Sequence, residues 1–165
     1  MALDRNCKDT PYLLGRLAAI IGQSVELTAH QMDKAQETPY VIFPLMVARY
    51  HEAGEPESPK EFSAIMDMLP SDFTFPERLT LPEQGQFVIG HDHQASEIYR
   101  RRNRRNVARA VKLRRTELGL TQTQLAERAG TTQMTVGKIE GGDSNVSLDL
   151  LSSVMAVLGL TMSVE

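Results

Sequence analysis

The chain has 165 residues, 41% of them hydrophobic and only 5% aromatic, which allows one domain or two small ones and favours aliphatic, helical packing. The single cysteine, Cys7, excludes an internal disulfide, and the lack of a long apolar run or an apolar leader in MALDRNCKDT predicts a soluble, cytoplasmic protein. The net charge of −3 conceals a division, because residues 1–94 carry −7 and residues 95–165 carry +4, which predicts a nucleic-acid partner for the second half.

Four helices are predicted in the first half of the chain. Apolar residues at helical spacing over residues 11–34 predict one long helix. Further helices are predicted over residues 44–54, from the cap Ser58 to residue 70, and from residue 81 onward into the arginines. Four helices in this length indicate a small bundle over residues 1–95. The inward residues of the first helix are Leu14, Leu17, Ala18, Ile21 and Val25.

The first half offers little catalytic or metal chemistry. Its only obvious metal ligands are His30, His51, His91 and His93. His91 and His93 are two residues apart, which puts them on different faces of a helix, whereas metal pairs on helices need a spacing of three or four. No glycine-rich phosphate loop and no Ser/His/Asp arrangement is present. We therefore expect no metal, no cofactor and no enzymatic activity.

A strongly basic segment follows. Between Tyr99 and Thr116 the sequence has nine basic residues and no acidic one. We predict a basic linker or helix over residues 96–106 that meets DNA, although a solvated basic helix face is the alternative. The five arginines in this segment are Arg100, Arg101, Arg102, Arg104 and Arg105.

Short helices are predicted after residue 106. NVARAVKLRRTELGL ends at Gly119, TQTQLAERAG is capped by Thr121, and TQMTVGKIEGG is capped by Thr132. Gly130 makes the tight turn between the last two, and two short helices joined in this way form a helix-turn-helix unit. SLDLLSSVMAVLGL predicts a further helix. The residues predicted to face inward are Val107, Ala110, Val111, Leu113, Leu118, Leu125, Ala126, Ala129, Val136, Ile139, Leu148, Leu151, Val154, Met155 and Leu158.

The helix after Thr132 would lie in the major groove of DNA, with its first residues at base edges. Gln133 can form two hydrogen bonds with adenine, Met134 can contact a thymine methyl, and Lys138 can meet a phosphate or a guanine. Gln122 suits a phosphate. Gly137 either allows close approach of the backbone to DNA or contacts nothing. The predicted DNA-binding set is the five arginines together with Gln122, Thr131, Thr132, Gln133, Met134, Thr135, Gly137 and Lys138.

The last residues, TMSVE, alternate between apolar and polar side chains, which is the period of a strand. A single strand has no partner in a helical domain, so we predict that it pairs with its copy across a two-fold axis. A frayed tail is the alternative. The residues predicted to form this dimer contact are Thr161, Met162, Ser163 and Val164.

The pattern LGLTQTQLAERAGTTQMTVGKIEGG resembles the Xre/Cro-type helix-turn-helix family over residues 107–160. The resemblance implies a DNA-binding domain of five helices or fewer, spanning residues 107–165 with the tail strand, in an all-α protein. It also implies a structural pairing of Arg115 with Glu140. Regulators with a similar tail dimerise through it, which would set two recognition helices about 34 Å apart on a palindromic operator.

The first half carries a second pair of motifs, YLLGRL at Tyr12 and FPERLTLPEQGQFVIGHDHQ ending at Gln94. These resemble, in the same order, the C-terminal region of the large subunit of the type I-C CRISPR effector complex. The family usually has two tyrosines where this chain has His91 and Asp92. The matching residues are Tyr12, Leu13, Leu14, Gly15, Arg16, Leu17, Phe75, Pro76, Leu79, Leu81, Gln84, Gly85, Phe87, Gly90, His93 and Gln94.

This second resemblance implies a helical bundle, similar also to the small subunit that lies along the guide–target duplex. That role needs positive charge facing phosphates, yet this half carries −7. We therefore predict an anti-CRISPR protein of a phage or mobile element, which imitates an effector subunit and represses its own promoter. The alternatives are an antitoxin-like or other Xre-type regulator whose bundle binds a protein or supports dimerisation, and a genuine effector component that recruits the complex to DNA.

Overall fold

The computed structural model describes residues 3–54, 58–142 and 146–161, and the chain divides into two compact units, Met1–Ile98 and Tyr99–Glu165. Within the described ranges the secondary structure is helical throughout, which confirms the all-α class. None of these described helices has both the length and the apolar character needed to cross a membrane. The helices are α1 Thr10–Ser24, α2 Ala29–Glu37, α3 Pro39–Glu52, α4 Pro59–Met66, α5 Leu81–Glu117, α6 Gln122–Arg128, α7 Gln133–Gly141 and α8 Leu148–Val157.

The single helix predicted over residues 11–34 is wrong, because the chain breaks between α1 and α2. Thr28 starts α2 with a reciprocal cap, in which its backbone N–H donates to Gln31 Oε1 at 2.9 Å and its hydroxyl accepts from the Gln31 N–H at 3.2 Å. This capping box satisfies N–H groups that a new helix would otherwise leave unpaired. The apolar pattern over residues 11–34 is therefore continuous, although the chain forms two separate helices there.

Helix α3 begins at Pro39, not near Pro44 as predicted. Pro39 occupies the first turn, where a missing N–H costs nothing, so the later proline lies inside the helix. The starts of the other two helices are confirmed, but α4 ends at Met66 and not at residue 70 as predicted. Ser58 precedes α4, although its side chain makes no capping hydrogen bond, and α5 begins at Leu81.

The core of the N-terminal unit is built around α1. Leu13, Leu14, Leu17 and Ile21 are fully buried there. The packing is mostly aliphatic, as predicted, but all five phenylalanines of the chain also belong to this core or pack against it. The rings interlock, with centroid distances of 5.2 Å for Phe43–Phe75, 6.3 Å for Phe43–Phe87 and 4.5 Å for Tyr50–Phe62.

Two glycines of the paired motifs allow α1 and α5 to meet backbone to backbone. A Cβ on Gly15 would overlap the carbonyl oxygen of Phe87 and lie 2.8 Å from the His91 nitrogen. A Cβ on Gly90 would likewise overlap the carbonyl oxygen of Tyr12. Only glycine fits at such a crossing, which explains these two positions of the motifs.

The C-terminal unit has an aliphatic core that comprises Val111, Leu125, Ala126, Val136, Ile139, Val154 and Leu158. The helix predicted from residue 106 is the last part of α5, which continues unbroken through the arginines to Glu117. Four predicted inward residues are instead exposed: Ala110, Leu113, Leu118 and Leu148. Ala108 is buried in place of Ala110, because the long helix turns the 108 and 111 positions toward the core.

Candidate functional site

Helices α6 and α7 form the predicted helix-turn-helix. Thr121 starts α6 with a capping box, donating its N–H to Gln124 Oε1 at 2.8 Å. Gly130 adopts φ +64°, and the next N–H, of Thr131, bonds the Ala126 carbonyl at 2.9 Å. Thr132 then caps α7 by accepting from the Thr135 N–H at 3.2 Å. Both caps and the turn glycine are confirmed.

Helix α7 presents one face to the core and the opposite face to solvent. Val136 and Ile139 are buried. Gln133 and Lys138 are exposed, and Met134 is 71% exposed despite its apolar side chain. Thr132 is exposed as well, whereas Thr131, Thr135 and Gly137 are half-buried. Gly141 is also exposed, in the last turn of α7, three residues after Lys138.

Gly137 has room for a side chain within the chain itself. A Cβ there would meet only Gln122 Oε1, at an ordinary contact distance of 3.9 Å. Glycine in a helix interior costs about 1 kcal/mol relative to alanine. Internal packing therefore does not account for this glycine.

Glu140 connects three elements of the C-terminal unit. Arg115 from α5 donates from Nε to Glu140 Oε1 at 2.5 Å and from Nη2 to Oε2 at 3.1 Å. Gln122 from α6 donates from Nε2 to Glu140 Oε2 at 2.9 Å. The predicted Arg115–Glu140 pair is thus confirmed. Gln122, which is predicted to contact a phosphate, also donates a hydrogen bond within the protein.

The ion pair is largely shielded, with Arg115 12% and Glu140 5% exposed at the side chain. Burial alone would raise the pKa of the Glu140 carboxyl, but hydrogen bonds from Arg115 and Gln122 lower it overall. The hydrogen bond to Glu140 raises the pKa of Arg115. Arg115 Nη1 also donates to the Leu120 carbonyl at 2.6 Å. The hydrogen bonds of Arg115, Gln122 and Glu140 therefore hold α5, α6 and α7 together.

The five arginines of residues 100–105 lie on α5 but do not share one face. Arg100, Arg102 and Arg105 are exposed, whereas Arg101 and Arg104 are half-buried. A pocket beside the end of α7 is lined by Gly141, Gly142 and the three arginines Arg101, Arg104 and Arg105. The fold therefore brings part of the basic segment next to the predicted recognition helix.

In the N-terminal unit, the polar residues of the motifs bond to one another. The Tyr12 hydroxyl lies 3.0 Å from His93 Nδ1, and Arg16 Nε donates to Gln94 Oε1 at 3.1 Å. Gln94 is fully buried and donates from Nε2 to Glu61 Oε2 at 3.3 Å. Burial lowers the pKa of Arg16. These contacts join α1, α4 and α5, and sequence reasoning had assigned none of them.

Two further predictions concern metals and the tail. Among the described residues, no three His, Cys, Asp or Glu side chains are grouped to hold a metal ion. Thr161 is exposed and non-helical, and the remaining residues of the predicted dimer strand, Met162, Ser163 and Val164, lie outside the described ranges.

Comparison with known families matches the two halves separately. The helix-turn-helix family (HTH_3) matches residues 111–164, and the family described as CRISPR-associated protein (Cas_Csd1) matches residues 1–99. No curated protein matches the chain. The predicted fusion is confirmed: the chain, matched over 99 of its 165 residues, belongs to the CRISPR-associated protein (Cas_Csd1) family and ends in a helix-turn-helix domain.

Proposed function

We propose that the protein is a dual-function anti-CRISPR and repressor. The N-terminal unit takes the place of an effector subunit and blocks type I-C interference, and the C-terminal unit binds operator DNA as a dimer and represses its own promoter. The observation that carries the proposal is the union, in one chain, of a CRISPR-associated half and a helix-turn-helix half, with a charge of −7 over residues 1–94 and +4 over residues 95–165. Such a division of charge suits a protein partner for the first half and DNA for the second.

The exposed face of α7 supports operator binding. Gln133 and Met134 stand at its start, where residues of a recognition helix reach base edges, and Lys138 follows one turn later. Gln122 keeps a second amide hydrogen beyond the one it donates to Glu140, so it can still contact a phosphate. Dimerisation through residues 161–164 would pair two such helices on a palindrome.

Gln133→Ala should weaken operator binding by about 1–3 kcal/mol, because the two hydrogen bonds to adenine are lost. Fluorescence anisotropy with duplexes from the protein's own promoter region would measure this loss, with a scrambled duplex as reference. Affinity for the scrambled duplex should stay unchanged. Gln86→Ala, an exposed glutamine on the N-terminal part of α5, is the matched control. An equal loss on both duplexes would contradict base recognition by Gln133.

The surface of α3 supports docking of the N-terminal unit on protein. Phe43 and Met46 are buried on its inner side, while Tyr40, Val41 and Leu45 are 60%, 67% and 50% exposed on the other. A helix that is apolar on all sides is normally covered on all sides. Exposed apolar faces mark contact sites for other proteins, and the charge of −7 disfavours nucleic acid here.

Expression of the protein should protect a plasmid that is targeted by a type I-C system. Deletion of residues 1–95 should abolish this protection. Val41→Glu with Leu45→Glu should weaken it, because two charges would have to be buried against the partner. Gln133→Ala, which alters only the DNA face, is the control and should protect fully. Pull-down of type I-C effector proteins would check the contact, and enhanced interference would indicate an effector component instead.

A regulator whose N-terminal unit binds another protein, such as a toxin, is the second candidate. One observation favours it: Tyr12, Arg16 and Gln94 bond inside the bundle, so the motif side chains account for folding rather than for an outward contact. Undiminished interference in the presence of the full-length protein, together with specific operator binding, would select this candidate.

A further inference from the structure

Four cations form a single row on the C-terminal part of α5. Arg102, Arg105, Arg109 and Lys112 are spaced by three, four and three residues, which aligns them on one face of a helix. All four are exposed, whereas Ala108 and Val111 are buried. Two of the four, Arg109 and Lys112, were not among the predicted DNA-binding residues.

The fold explains this row only at Lys112, whose charge helps to lower the pKa of the Glu140 carboxyl. Among the described residues the side chains of Arg102, Arg105 and Arg109 form no hydrogen bond or ion pair, and the sequence has no acidic residue between Tyr99 and Thr116. Like charges three or four residues apart destabilise a helix. The row therefore lowers the stability of α5 in isolation, and a bound polyanion would offset that cost.

The position of the row points to its partner. Arg105 lines the pocket that also contains Gly141 and Gly142 at the end of α7. The Arg104 carbonyl lies 3.8 Å from where a Cβ on Gly142 would be, so the two helices are close at this point. A recognition helix in the major groove is flanked by the two phosphate backbones, and a basic row starting at its end is placed to meet one of them.

We infer that this row binds consecutive phosphates of one duplex DNA strand, without reading sequence, beside the groove that α7 enters. The inference rests on the proposed DNA binding by α7. The cations follow one another at intervals of about 4.5–6 Å along the helix axis, given a rise of 1.5 Å per residue. The long arginine and lysine stems can adjust these intervals to the phosphates of a single strand.

The test is the salt dependence of duplex binding by a full-length variant carrying Arg102→Gln, Arg105→Gln, Arg109→Gln and Lys112→Gln. The plot of log affinity against log salt should become shallower by about 3–4, because each phosphate contact contributes about 0.9. The change should be equal for promoter and scrambled duplexes. The matched control removes four exposed cations of the N-terminal unit, Lys8, Arg49, Lys60 and Arg78, each changed to Gln, and should leave the slope unchanged.

The outcomes separate this inference from the proposed function. If the row variant has the same salt-dependence slope as the control and still binds the promoter, the row does not contact phosphates. Recognition by α7 is then unaffected. If the slope becomes shallower in the row variant but Gln133→Ala has no effect on any duplex, phosphate contact by the row is supported and base recognition by Gln133 is contradicted. Failure of the unaltered protein to bind any duplex at low salt overturns both. The melting temperature of the row variant checks that the slopes compared are those of folded proteins.

Discussion

Gly15→Ala is expected to destabilise the N-terminal unit by about 3 kcal/mol or more. The new methyl group would overlap the carbonyl of Phe87 on the facing helix, and two backbones cannot separate without opening the core around Leu14 and Leu17. Urea unfolding followed by far-ultraviolet circular dichroism would measure the loss. Gly90→Ala should behave similarly, since its methyl would overlap the Tyr12 carbonyl.

Gly85→Ala provides the matched control within the same motif. Gly85 is exposed on α5, and a Cβ there would have nothing within 4 Å. Alanine should therefore stabilise the helix by up to about 1 kcal/mol through its better propensity. Unfolding midpoints that shift in the same direction for Gly15→Ala and Gly85→Ala would refute the close helix crossing as the reason for Gly15.

This crossing illustrates what the sequence alone could and could not predict. The motifs around Gly15 and Gly90 were grouped correctly by resemblance, but helical periodicity says nothing about two residues that lie far apart in the chain. The contact depends on tertiary structure. The same limit applies to Arg16 and Gln94, whose polar side chains look like surface residues until their mutual hydrogen bond is seen.

Local signals were available where other predictions failed. Thr28 and Gln31 have the spacing of a capping box, yet the apolar residues around them masked the helix start. The predicted boundary at residue 106 divides the four-cation row, so the predicted elements do not show that its members share one helix face. Leu113 and Leu148 fit the helical spacing of inward residues, yet both are exposed, because hydrophobic residues are also common on protein surfaces.

The helix-turn-helix was predicted more fully because its determinants are local. Thr121, Gly130 and Thr132 act within a few residues of themselves, so their roles follow from spacing alone. The link between Gln122 and Glu140 is the exception. This hydrogen bond depends on how α6 packs on α7. It gives Gln122 a partner within the protein, whereas the prediction for Gln122 was a contact with a DNA phosphate.

Glu140→Gln should destabilise the C-terminal unit by about 2–4 kcal/mol, because it removes the partner of a shielded arginine and places an amide donor among other donors. Operator affinity should fall as well, since Glu140 holds α7 against Arg115 and Gln122. Thermal unfolding and anisotropy would measure the two effects. Glu117→Gln is the control: its pair with Arg114 at 3.0 Å is half-exposed, and its loss should cost no more than about 0.5 kcal/mol.

The pH dependence gives an independent check on the same carboxylate. The pKa of Glu140 is lower in the folded protein than its ordinary value. The stabilisation from its ionised form is therefore complete above the unfolded pKa of about 4.3, and it is lost as the pH falls through the folded pKa below that. The unaltered protein should lose stability more steeply below about pH 4.3 than Glu140→Gln does. Parallel acid-unfolding curves for the two proteins would mean that the Arg115–Glu140 pair contributes nothing to folding.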